Sequence, residues 1–140
     1  MKEGKPQRTR YYFFLNPYED CAFTRCPKCD GKTKLRKFPL AIHIEPHQLL
    51  FLNKTCRYCM NCDLIIAKKS EVESLMAATC ETRNPSIIGN DYVIHGTLEK
   101  SDWRKYRTLS EDSAEVLDRV FLFKDILDFE VIPGKWHFSG

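Results

Sequence analysis

Five of the chain's seven cysteines fall between residues 26 and 62 of 140. Cys26-Pro27-Lys28-Cys29 supplies one Cys-x-x-Cys pair. A second comes from Cys56-Arg57-Tyr58-Cys59-Met60-Asn61-Cys62, in one of two overlapping registers. Two such pairs joined by a strand-like segment have the spacing of a tetrahedral zinc site, with two thiolates from each tight turn. A closed set of four sulfur ligands leaves the metal no position for a substrate, so the site reads as structural.

Zinc takes four ligands and the stretch offers five, so one cysteine is left over. Cys26 and Cys29 form the first pair in either register. For the second pair, the residue after each turn discriminates. Asp30-Gly31 follows Cys29, and Asp63 follows Cys62; such residues tolerate the left-handed backbone on which a chain leaves a metal-binding turn, whereas Met60 after Cys59 does not. Alternation along Leu50-Phe51-Leu52-Asn53-Lys54-Thr55-Cys56 also puts Cys56 on the face of Leu50 and Leu52, where a thiol packs as a small apolar group. The favoured ligands are therefore Cys26, Cys29, Cys59 and Cys62, with Cys56 in place of Cys62 as the alternative.

Cys-Pro-x-Cys-x-Gly, a hairpin, then Cys-x-x-Cys-Asp resembles the zinc-ribbon superfamily of small metal-binding domains. The resemblance covers about the second quarter of the chain and departs from the pattern in the extra register through Cys56 and the missing glycine after Cys62. It implies antiparallel hairpins around the metal and leaves the task open, since ribbons serve in nucleic-acid binding, protein docking and pure structure alike. An odd cysteine count without an apolar leader segment argues against a disulfide framework and for a reducing, cytoplasmic setting.

A hydrophobic share of 43% supports a packed core, and no apolar run approaches the roughly 20 residues of a membrane span. The formal net charge of +3 decides little, because four zinc-bound thiolates and their ion would lower it to +1. Its distribution is more informative. Residues 1–40 carry ten Lys/Arg against four Asp/Glu, residues 41–83 five against five, and residues 84–140 seven against ten. Lys32, Lys34 and Arg36 alternate along a strand leaving the first cysteine turn and make the best candidate nucleic-acid contacts; the competing reading is a solvated strand face.

The elements around these residues are read as follows. Residues 1–9 form a loose arm, and Arg10–Leu15 an aromatic strand ending at Asn16-Pro17. Alternation of Arg8, Arg10, Tyr11, Tyr12 and Phe13 suggests a stacking platform for single strands, but a core-and-rim strand is the simpler reading. A strand at Lys32–Phe38 continues through Leu40–Glu45 until Pro46, Leu49–Thr55 leads into the second cysteine turn, and Leu64–Ala67 leaves it as a short buried strand. Ser70-Glu71-Val72-Glu73 has the form of a capping box, starting a helix to about Thr82 with Val72, Leu75, Met76, Thr79 and Cys80 on or beside its apolar stripe. Beyond Arg83–Gly89 come a strand at Asp91–Thr97, a strand or turn at Trp103–Arg107, a helix from Ser110 and a last strand at Phe129–Ile132.

Catalytic motifs are scarce. His43-Ile44-Glu45 before a Cys-x-x-Cys pair resembles part of a zinc-deaminase signature. However, Pro46 bars the helix that carries those residues, no proline precedes Cys56 or Cys59, and Cys26 and Cys29 would have no role. The expected protein is α+β, with zinc-ribbon hairpins in residues 1–83 packed against a small mixed sheet-and-helix part in residues 84–140. Its expected activity is non-enzymatic: a nucleic-acid-binding module, or else an adaptor docking a protein through the ribbon and Trp103, Tyr106 or Trp136. A deaminase-like enzyme is the remote third reading.

Overall fold

In the computed structural model, which describes residues 8–106 and 118–131, the chain is mainly β. β1 (Tyr12–Asn16), β2 (Lys34–Ile44), β3 (Gln48–Cys59), β4 (Leu64–Lys68), β5 (Tyr92–Thr97), β6 (Phe121–Leu122) and β7 (Asp125–Leu127) form one sheet in the order β6-β5-β2-β3-β4-β1-β7. β1 runs parallel to β4 and β7, and the remaining pairings are antiparallel. Two helices are described, α1 (Lys69–Arg83) and α2 (Lys100–Tyr106), with a short 3-10 turn at Pro85–Ile87.

This corrects the expected α+β arrangement of ribbon hairpins beside a separate sheet-and-helix part. β2 runs unbroken through Pro39, as the expected continuation of the strand to Pro46 required, because apolar alternation continues through Phe38, Leu40, Ile42 and Ile44. Proline has no donor for a ladder, and here its carbonyl accepts bonds from the Leu98 amide and the Thr97 hydroxyl. The long β2–β3 hairpin therefore runs from the cysteine turns into the middle of the sheet, where β5 joins it. Trp103 lies on α2 rather than on a strand or turn, and Phe129 and Val131 follow β7 instead of forming a last strand. The predicted helix from Ser110 begins outside the described residues.

The sheet curls into a half-barrel. Residues 8–10 bond to Leu122 of β6, the Arg10 amide donating to its carbonyl and its amide donating to Arg8. The chain then bends at Tyr11 (φ 71°) and continues as β1 between β4 and β7. One segment, residues 121–127, thus supplies the strands at both ends of the sheet order, and Phe123 within it stacks on Phe13 with ring centroids 4.7 Å apart.

Period-2 alternation sorts the side chains into two faces. Phe13, Phe38, Leu40, Ile42, Leu50, Leu52, Cys56 and Ile65 share the main core, to which α1 contributes Val72, Met76 and Cys80. Phe14, Phe23, Cys26, Cys59, Leu64 and Ile66 pack on the opposite side of β1 and β4. α1 begins at Lys69, one residue before the predicted cap. Ser70 makes no capping bond, and Glu73 instead pairs with Lys69 and accepts from the Tyr92 hydroxyl. Leu75, expected in the apolar stripe, is exposed.

β5 and β6 approach closely at Gly96, where an added Cβ would lie 2.3 Å from the Phe121 carbonyl oxygen and 2.8 Å from a Val120 methyl. Gly96→Ala must push the two strands apart, with an expected loss of about 1–3 kcal/mol as in other overpacked sites. Urea unfolding of the variant measures it, and an unchanged midpoint would contradict the close approach.

Candidate metal centre

Two turns meet on the side of the sheet opposite the main core. The first lies in the β1–β2 connection. The Cys26 amide donates to Gly31, the Asp30 amide donates to Cys26, and Arg25 bridges to Lys32. Thr33 ties the base of this turn through its hydroxyl to Phe23 (2.7 Å) and its amide to Thr24 (2.9 Å). The second turn joins β3 to β4, with Cys59 opposite Leu64 in the ladder. Asp30 and Asp63, the residues that follow each cysteine pair, both adopt left-handed backbone, with φ of 63° and 54°.

The four sulfurs of Cys26, Cys29, Cys59 and Cys62 lie within 4.8 Å of one another. Cys26 Sγ is 3.9 Å from Cys62 Sγ, and Cys29 Sγ is 3.5 Å from Cys59 Sγ. A regular tetrahedron of Zn–S bonds has sulfur–sulfur edges of about 3.8 Å. The donor set therefore fits zinc in ligand type and spacing. Backbone amides of Lys28 and Gly31 point at Cys26 Sγ (3.3 Å) and Cys29 Sγ (3.4 Å), which favours thiolate on both.

Electrostatics inside the quartet are uneven. The Gly31 amide and neighbouring thiols lower the exposed Cys29 to about 7. Burial raises Cys26, and burial with the adjacent thiols pushes Cys62 up to about 12. A cation that gathers four thiolates must displace protons from these groups. Cys56 lies apart from the quartet: it is buried in the main core, its thiol donates to the Lys54 carbonyl, and burial lifts it to about 12. Cys80 projects from α1 into the main core.

Lys32, Lys34 and Arg36 are all exposed. Lys32 sits on the returning arm of the first turn, while Lys34 and Arg36 share a face of β2. The Arg36 guanidinium folds over the rings of Phe38 (4.8 Å) and Tyr58 (5.1 Å). The aromatic strand follows the favoured core-and-rim reading and not the stacking platform, since Tyr11 and Phe13 are buried and Tyr12 is half-buried. Instead Arg10 lies 4.6 Å above Tyr11. Sequence reasoning missed the convergence of Tyr11, Phe38 and Tyr58, whose rings lie edge-on or tilted 5.4–5.9 Å apart. Alternation placed Phe38 within a strand, but Tyr58 fell in the second cysteine turn beyond the expected strand end at Thr55, whereas β3 runs on to Cys59, and the pairing that joins both to Tyr11 is long-range.

His43 and Glu45, the core of the deaminase reading, stand at the far end of β2 from both cysteine turns, roughly 30 Å of extended strand away. Trp103 is half-buried, whereas the Tyr106 side chain and Trp136 lie outside the described residues. No helix among the described residues is long and apolar enough to cross a membrane. Compared with models of protein families, with curated proteins and with solved structures, the chain matches none.

Metal analysis of the purified chain is expected to find one zinc, with binding lost in Cys59→Ser and Cys62→Ser and retained in Cys56→Ala. The last variant should lose only about 1 kcal/mol of stability through its missing core thiol. Zinc retention by Cys62→Ser would overturn the ligand set. Affinity should also weaken as pH falls, because protons compete for the same sulfurs; competition with a chromogenic chelator across the acid range measures this.

Proposed function

We propose that the chain is a non-enzymatic nucleic-acid-binding module whose exposed basic strand is held in place by a structural zinc ion. The observation that carries this reading is the position of Lys32, Lys34 and Arg36. All three are exposed and follow directly from the first cysteine turn, so the metal would fix the stretch of chain that presents them. Among the described residues no acidic side chain pairs with them. Cations presented without an internal counter-charge suit the phosphates of a polynucleotide, where binding draws on counterion release.

When bound, the ion would supply cohesion: it would draw the β1–β2 connection onto the β3–β4 turn and neutralise half of the thiolate charge. The protein groups do the remainder. Arg36 is oriented by the rings under it, Lys34 projects from the same face of β2, and Lys32 extends the positive charge towards the metal turn. Four sulfurs complete the coordination that zinc prefers, which supports a structural and not a hydrolytic role. The reduced thiols this requires fit the cytoplasmic setting proposed for the chain.

A second reading, docking of a protein partner beside the cysteine turns, draws support from Met60 and Leu35. Both are 64% exposed, Met60 at the tip of the second cysteine turn and Leu35 beside the basic residues. Exposed apolar side chains on a rigid turn suit a protein surface better than a phosphate backbone.

Fluorescence anisotropy with a labelled single strand separates the readings. Affinity is expected to fall linearly on a log–log salt plot, and replacing Lys32, Lys34 and Arg36 by Ala should flatten the slope by about 2, three contacts at about 0.7 each. No salt-dependent binding by the zinc-loaded wild-type chain would reject the nucleic-acid reading.

A further inference from the structure

A cavity of about 170 Å³ opens where Arg10 and Tyr11, residues 36–39 of β2 and the start of α2 come together. Its walls include Arg10, Arg36, Lys37 and Lys100, with Glu99 as the one acidic residue. Four cations against one carboxylate leave a formal surplus of +3. Glu99 is 3.5 Å from Arg10, and among the described residues no carboxylate pairs with Arg36, Lys37 or Lys100.

The two arginines are pre-positioned. Arg10 lies over Tyr11, and Arg36 over Phe38 and Tyr58. Because the three rings brace one another at 5.4–5.9 Å, the guanidinium planes are held and little side-chain freedom remains to be lost when an anion arrives. Pro39, Leu98 and Phe121 make up part of the remaining lining, so the charges face a partly apolar space where hydrogen bonds to an anion gain strength.

We propose that this cavity binds the phosphate group of a phosphate monoester. A monoester carries a charge of about −1.5 to −2 at neutral pH and three terminal oxygens. This matches two guanidinium forks and two lysines better than a carboxylate or a phosphodiester does, since each of those carries a single charge. Size points the same way. The space is smaller than the roughly 300–1,000 Å³ of pockets that enclose drug-sized ligands, so it takes the phosphate end and leaves the rest of the molecule outside. The monoester could come from the 5′ end of a strand or from a small phosphorylated molecule. The inference shares Arg36 with the polynucleotide reading but does not rest on it, because Lys32 and Lys34 lie outside the cavity.

Isothermal titration of the zinc-loaded full chain with ribose 5-phosphate, and with ribose as its control, tests the site. Ribose 5-phosphate is expected to bind and ribose not to. Arg36→Gln and Lys100→Gln, both at exposed positions, are each expected to weaken binding about tenfold, as for loss of a charge-assisted hydrogen bond. The Lys32→Ala/Lys34→Ala double variant is expected to leave it unchanged. A 5′-phosphorylated oligonucleotide binding about tenfold tighter than its 5′-hydroxyl twin would support the site and make a strand end the source. Equal binding of the two oligonucleotides, with ribose 5-phosphate still bound and still sensitive to Arg36→Gln, would support it for a small phosphorylated molecule. Failure of ribose 5-phosphate to bind at millimolar concentration, or binding indifferent to both Gln variants, would overturn it whatever the salt plot of the polynucleotide shows.

Discussion

Four sulfurs held within 4.8 Å of one another are the constraint on which this end of the molecule depends. Thiols in that proximity repel as soon as more than one loses its proton, and only a multivalent cation makes the fully deprotonated quartet favourable. The connection from Pro17 to Thr33 shows why such a tie matters. It contains no helix and no strand, only turns and the Arg25–Lys32 bridge, and loops of that length without internal structure are uncommon in compact domains. A cross-link from this loop to the β3–β4 turn supplies order that backbone ladders do not. Asn16 and Thr33 fix its two ends through side-chain bonds to the chain inside it.

The sheet carries that order inward. β3 ends at Cys59 and β4 starts just beyond Cys62, so the second cysteine turn is continuous with two strands of the core. Tyr58, next to Cys59, donates its hydroxyl to Asp63, next to Cys62, and its ring supports Arg36. The metal centre and the basic cavity therefore share a structural element, each on its own side of the sheet. The opposite faces of β1 divide in the same way, Phe13 in the main core and Phe14 against Phe23 on the cysteine side.

What the residues reveal before folding is mainly local. The spacing of the cysteines, the aspartates at the ends of both turns and the period-2 placement of Cys56 each depend on a few neighbouring positions, and each corresponds to a feature of the structure. The curl of the sheet was not legible in this way. β1 lies beside β4 and β7 in parallel, pairings set by contacts far apart in sequence that no short window displays. Pro39 does not interrupt β2, because its carbonyl accepts bonds from β5 and the residue after it. Lys100–Tyr106 was misread because a seven-residue helix shows barely two turns of periodicity. The phosphate-sized cavity was hidden for the same reason as the curl, since its arginines stand on segments that meet only when the sheet closes.

That closure has a consequence for how the chain must come together as it is made. Phe13 waits for Phe123, and β1 has β7 as its outer neighbour, so an aromatic stretch made about 110 residues earlier is among the last to be covered. Contacts so distant in sequence slow folding and prolong the exposure of apolar surface. The β2–β3 hairpin can assemble early from neighbouring residues, but during translation β1 must stay partly bare until residues 121–127 have left the ribosome.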